Sequence, residues 1–119
     1  MEKINLEKAF RHIDEYWSPH IAGEMNGQQV RLAKLKDKFI WHRHEKEDEL
    51  FMVVKGRLII HLRDRDIELD EGEFFIVPRG VEHQPEAPDE VWVLLFEPKE
   101  TLNTGNMDNE RTKHHLKHL

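Results

Sequence analysis

The chain has 119 residues, 38% hydrophobic and 35% charged, with a formal net charge of −6. That length supports one domain around one hydrophobic core, and the acidic balance excludes a general nucleic-acid binder, which needs a basic face to neutralise phosphates. There is no cysteine, which excludes disulfides, thiolate metal sites and cysteine nucleophiles. No stretch approaches the roughly 20 apolar residues of a membrane span, and the first residues lack the apolar core of a secretory signal. A cytoplasmic protein with neither nucleic-acid nor membrane partners is expected. The nine histidines stand out, because histidine is the commonest metal ligand.

Leu6, Phe10, Ile13 and Trp17 recur at helical spacing, Asn5 is placed to cap, and Ser18-Pro19 is a stop. These features predict a short amphipathic helix over about residues 6–16, closing one end of a barrel or packing on a partner subunit. From Pro19 the period changes to two. Asn26-Gly27 is a hairpin turn signal joining strands near His20–Met25 and Gln28–Leu35. An apolar run at Phe39–Trp41 follows, then a polar turn at Glu45–Asp48 and a strand at Glu49–Val54 stopped by Gly56. Arg57–Arg63, Ile67–Leu69, Phe74–Val77 and Val91–Phe96 complete the strands, with turns at Asp64–Asp66, Asp70–Gly72 and Pro78, and Pro98 as the last stop. Many short strands at this spacing predict an all-β sandwich or barrel. The polar tail over about 106–119, with Arg111–Leu119 at its end, reads as helical or frayed.

Two blocks carry chemistry. In the first, His42 and His44 flank Arg43, four residues precede Glu49, and six more precede Gly56. Alternation along a strand points His42 and His44 the same way, and Trp41 and Arg43 the other. The turn at Glu45–Asp48 then returns Glu49 beside them. In the second block, Gly72 is followed by Pro78-Arg79-Gly80 and His83, so a buried strand ends at a turn that presents His83. Three imidazoles and a carboxylate suit one divalent transition metal (Fe, Mn, Ni, Zn or Co), whereas calcium and magnesium prefer all-oxygen shells. Four protein ligands leave an octahedral ion two open positions.

Together these blocks resemble the two motifs of the cupin superfamily. The resemblance implies a double-stranded β-helix (jelly-roll) barrel over about residues 28–98, in a single domain of residues 1–119. It also implies metal binding by the matching residues His42, His44, Glu49 and His83. Two positions depart from the motifs: Lys36 stands where a glycine usually opens the first, and Ala87 where an asparagine usually ends the second. Both are turn or backbone positions rather than ligands. The segment from Glu97 to Gly105 further resembles the tail of short stand-alone cupins often labelled mannose-6-phosphate isomerase-like, a label that names a fold more than an activity.

The remaining candidates are weaker. His61 alternates with Leu58, Ile60 and Leu62 and is expected on the face opposite them. His12 and His20 read as surface or interface residues, and His114, His115 and His118 as a solvated tail cluster. Parity with Glu49 places Phe51 and Val53 on its face, and Leu50, Met52 and Val54 on the other. Either Val93 and Leu95, or Trp92, Leu94 and Phe96, form the facing inner wall. Arg43 and Arg79 read as exposed charges that could recruit an anion. The expected function is a metalloenzyme acting on a small organic molecule by isomerase, lyase or dioxygenase chemistry, with no separate catalytic base identifiable. The alternative is a non-catalytic binding or sensing module. A homodimer is expected, as is common among small cupins, with Leu50, Met52 and Val54 at its interface or beneath the N-terminal helix.

Overall fold

A computed structural model describes residues 2–119. In chain order the elements are α1 (Leu6–Phe10), β1 (His20–Met25), β2 (Gln28–Lys38), β3 (Glu49–Lys55), β4 (Leu58–Leu62), β5 (Asp66–Leu69), β6 (Phe74–Val77), β7 (His83–Pro98) and β8 (Lys117–His118). The 16-residue β7 is the spine. It pairs antiparallel with β4 through His83–Glu86, with β2 from Glu86 to Pro98, and with β3 from Trp92 to Phe96. One strand thus belongs to both walls of a β-sandwich. The sheet continues β5-β4-β7-β2-β1-β8, while β6 is held by β3.

Period-two alternation fills the interior as expected. Phe51 and Val53 of β3, Leu58, Ile60 and Leu62 of β4, and Ala33 and Leu35 of β2 form one core cluster. Val91, Val93 and Leu95 join it, which settles the inner wall of β7; Trp92 and Leu94 pack on the opposite face beneath α1. Val54 also lies under α1. The Asn26–Gly27 hairpin forms with φ of 51° and 77°, the left-handed pair that a two-residue turn requires.

Four expectations need correction. The helix stops at Phe10 and does not continue to 16. Its Asn5 cap forms, with Lys8 N donating to Asn5 Oδ1 at 3.0 Å, but Trp17 turns into the barrel at φ 58° and stacks on Phe39 with ring centroids 4.6 Å apart. Packing thus overrides the helical spacing. The run Phe39–Trp41 forms no strand. β7 begins eight residues before Val91, although Pro85 and Pro88 argue against a strand there. Pro85 still uses its carbonyl, which accepts from Phe39 N at 2.9 Å. The tail, finally, is not helical: Lys117–His118 pairs in parallel with His20–Ile21.

His61 lies on the outer face, as alternation required. Its Nδ1 is 2.7 Å from Asp66 and its Nε2 is 2.7 Å from Glu86, so one ring links β4, β5 and β7. Hydrogen bonds from Glu86 and then Asp66 raise its pKa above the ordinary value. A raised folded pKa means that the imidazolium stabilises the fold fully below the unfolded value near 6.5, and that this is lost as pH rises through the folded pKa. Because the ring is near the surface, the effect is on the order of 1 kcal/mol or less. The His61→Gln variant is expected to be less stable than the parent at about pH 5, with the gap closing by about pH 9. Urea unfolding at both values checks this; an equal gap at both excludes the charged ring as its source.

Candidate metal centre

The loop between β2 and β3 carries His42 and His44, and a backbone bridge places it. His42 N donates to His83 O at 3.0 Å, and His83 N donates back to His42 O at 2.9 Å. Gly80 N donates to His44 O at 2.7 Å, and Arg79 N to Asp48 Oδ1 at 2.8 Å. The two sequence blocks are therefore stapled together by three main-chain hydrogen bonds, with the Asp48 side chain adding a fourth. Glu49 enters as the first residue of β3, on the same face as Phe51 and Val53.

All four predicted ligands converge. His42, His44, Glu49 and His83 are each 3% exposed or less, and each offers a donor atom within 4.8 Å of the others. That is the scale of a single ion with bonds of about 2.0–2.2 Å. His42 Nδ1 lies 2.9 Å from Ile40 O and His83 Nδ1 lies 3.0 Å from Val81 O. Each backbone carbonyl fixes the proton on Nδ1 and frees the Nε2 lone pair for a ligand, the usual arrangement behind metal-bound histidine. His44 Nε2 and His83 Nε2 approach Glu49 Oε1 at 3.2 and 3.5 Å, yet none of these three buried atoms has a hydrogen-bond partner. Unpaired buried polar atoms are costly, and one cation among them would satisfy them all. The residues fit a divalent metal.

Ionisation agrees with the geometry. Burial, then the neighbouring His83, lowers the His42 pKa to about 4, so its ring is neutral near pH 7. Burial acts the same way on His44, but the Glu49 charge outweighs it and raises that pKa. For Glu49, burial alone would raise the pKa; the neighbouring Glu97 and the facing His44 and His83 hold it well below the usual carboxylate range. Glu97 moves the opposite way, raised by burial and by the Glu49 charge. The opposed shifts put the proton of this carboxyl pair on the Glu97 side.

Glu97 and Arg31 are the site residues that sequence reading missed. Both are about 1% exposed. Arg31 donates to Glu97 Oε1 at 2.8 Å, Thr101 O at 2.8 Å, Lys99 O at 3.0 Å and Gln29 Oε1 at 3.0 Å. A signal existed: one more step of the parity that turns Val91, Val93 and Leu95 inward reaches Glu97. The other candidates stand apart. Arg43 pairs with Glu45 at 2.6 Å and Arg79 with Asp48 at 3.4 Å, so both are exposed charges that are already partnered. His20 is largely buried, with Nδ1 2.8 Å from Ser18 O, whereas His12, His114, His115 and His118 are exposed.

Beside the ligands lies a cavity of about 30 Å³, room for roughly two waters. Trp17, Leu35, Phe39, Phe51 and Leu95 make its apolar walls, and His42, Glu49, Glu97 and Asn103 its polar ones. Among the described residues, no Lys or Arg lines it.

A β-sandwich with a buried His-His-Glu-His cluster defines the class, and comparison with known proteins gives the family. The family model described as a cupin domain matches residues 28–97, and the chain belongs to that family. A cupin-2 domain protein from Shewanella frigidimarina superposes with a TM-score of 0.80 at 41% identity, covering 81% of this chain and 94% of that one. A Neisseria meningitidis protein superposes with a TM-score of 0.76 at 32% identity, covering 82% of this chain and all of that one (100%). Among curated proteins, Bacillus subtilis YdbB is 31% identical over 81 residues, 67% of this chain and 72% of that protein. The 3-hydroxyanthranilate 3,4-dioxygenase of Xenopus laevis is 27% identical over 105 residues, and the chain spans 36% of its length.

Replacing Arg31 by Met is expected to cost about 3–5 kcal/mol, since the buried acceptors lose their shared cation. Glu97→Gln is expected to cost only about 1 kcal/mol, because the amide still accepts from Arg31 and donates to Glu49. Urea denaturation of the metal-free variants checks the pair. Equal losses would show that Glu97 is not the protonated partner.

Proposed function

We propose that the protein is a metalloenzyme acting on a small, partly apolar organic molecule at a centre of His42, His44, Glu49 and His83. The observation that carries this reading is the set of unpaired, buried donor atoms facing one another beside an apolar cavity. A divalent transition metal held there supplies Lewis-acid or redox chemistry to whatever fills its remaining positions. The chain's own residues do the rest. Backbone carbonyls of Ile40 and Val81 orient His42 and His83, the walls of Trp17, Phe39 and Phe51 exclude water, and Glu97 holds a proton beside Glu49.

Of the three chemistries open to this centre, dioxygenase chemistry has the most support. The walls suit an apolar substrate, and the similarity to a dioxygenase extends over 79% of the chain. A phosphorylated sugar finds no cation on the cavity walls among the described residues, which counts against the isomerase label. The second reading, a binding or sensing module, is favoured by the small free volume, which admits little beyond an ion and its water ligands without rearrangement. Elemental analysis of a full-length variant with His114, His115 and His118 changed to Ala should find about one metal per chain. Glu49→Gln and His83→Ala are each expected to lower affinity at least about 100-fold. Absence of stoichiometric metal in the parent would sink both readings. Oxygen uptake by the iron-loaded protein with small aromatic or keto-acid substrates favours the enzyme; metal uptake without turnover favours the module.

The acidic balance supports a cytoplasmic setting, and the outer sheet supports a homodimer. Phe74 and Ile76 of β6 are 59% and 49% exposed, next to Met52 and Leu50 in register. A contiguous apolar face of this kind is self-complementary about a two-fold axis. Light scattering is expected to give twice the chain mass for the parent and the single mass for Phe74→Glu.

A further inference from the structure

The segment after β7 does not leave the barrel as a loose tail. Arg31 holds the carbonyls of Lys99 and Thr101, and Thr101 and Thr104 are buried. Beyond them the chain is tied to itself: Asn103 Nδ2 donates to Arg111 O at 2.7 Å, Lys113 N donates to Asn103 Oδ1 at 2.8 Å, and the Thr104 and Thr112 hydroxyls lie 2.6 Å apart. This braced loop sets its turn against the residue between the two loop histidines. Asn106 N donates to Arg43 O at 2.9 Å, and Arg43 N donates to Asn106 Oδ1 at 2.8 Å. Gly105, at φ 57°, lies so close that a Cβ there would stand 2.3 Å from Arg43 O and 3.0 Å from His42 Cδ2. Only glycine tolerates both that backbone conformation and that approach.

We propose that the Gly105–Asn106 turn is a positioning element of the metal centre. It clamps the Arg43 peptide and backs the His42 ring, so it sets the aim of His42 and His44 from outside the barrel. The inference rests on the metal-centre reading, and deepens it by making residues 97–106 part of the site. At one end of this segment Glu97 meets Glu49; at the other Gly105 meets His42. Two of the four ligands are thus backed by one stretch of chain, anchored between those contacts by the buried Arg31. The same turn, with Leu102, walls a surface groove lined by His44 and Glu45, so it also stands between the ligands and solvent. The Asn103-Thr104-Gly105 run noted in the sequence acquires a role here. Asn103 and Thr104 brace the loop, and Gly105 makes the close approach.

The test compares Asn106→Ala, Asn106→Asp and Gly105→Ala in the full chain. Two readouts are used: the ring resonances of His42 in the metal-free protein, and Co2+ affinity by titration. Asn106 uses its side chain only as an acceptor, so Asp keeps the contact and Ala removes it. Asn106→Ala is expected to shift the His42 ring resonances and weaken Co2+ binding about tenfold, with Asp restoring both; Gly105→Ala is expected to weaken it towards 100-fold. Circular dichroism and the β7 amide resonances should stay unchanged. If Gly105→Ala does not fold, the Asn106 pair decides. The proposal is overturned if Asn106→Ala leaves the His42 resonances and Co2+ affinity at parental values, or if Ala and Asp impair them equally. Failure of the parent to take up Co2+ would refute the metal reading instead, and the His42 resonances would still decide whether the turn positions the ring.

Discussion

A carboxylate inside an apolar barrel is unstable unless donors or a cation meet it, and Glu49 imposes that condition on everything around it. Its 3% exposure keeps it from bulk water. Three imidazoles face it, two with their Nδ1 protons committed to backbone carbonyls, so what they turn towards Glu49 is lone pairs rather than donors. Glu97 brings a proton, and Arg31 in turn steadies Glu97. The chain from Arg31 through Glu97 to Glu49 runs across the barrel from β2 through β7 to β3. Burial of charge here works only as a connected network.

That network explains why β7 is so long. A strand ending at Trp92 would pair with β4 and part of β2 but would not carry Glu97 to Glu49. With 16 residues, β7 brings His83 at its start and Glu97 near its end to the same cluster. The sandwich is therefore closed by the strand that also supplies His83 and Glu97 to the cluster. Fold stability and site assembly share one element, and substitutions along β7 will act on both.

The surroundings of the cluster point to function more than its ligands do. Four ligands of this kind hold many metals and serve many chemistries. The walls are more selective: aromatic and aliphatic on one side, Asn103 and the carboxyl pair on the other, with no cation lining them among the described residues. The loop over residues 99–113, which borders the cavity at Asn103, is built from turns and braced by side-chain hydrogen bonds rather than ladder pairs.

What the sequence determined by itself was whatever depends on local period and spacing. Alternation placed Glu49, Phe51 and Val53 inside and His61 outside; the histidine blocks named the four residues that converge; Asn26-Gly27 marked its hairpin. These follow from the two-residue repeat of a strand, which acts over a few residues and needs no partner. Only the tertiary structure decided the rest. Trp17 left its helical pattern because Phe39 offered a stacking surface inside the barrel. Pro85 sits within a strand, in register with Ile60, and its carbonyl accepts from the loop N–H of Phe39. Arg31 and Glu97, ordinary surface charges by composition, became buried because the guanidinium finds its acceptors, Glu97 Oε1 among them, across 66 positions of chain. Gly105 packs against the cluster because its missing side chain lets the backbone reach His42. Such roles arise from pairings between distant segments, and a one-dimensional pattern holds no term for them.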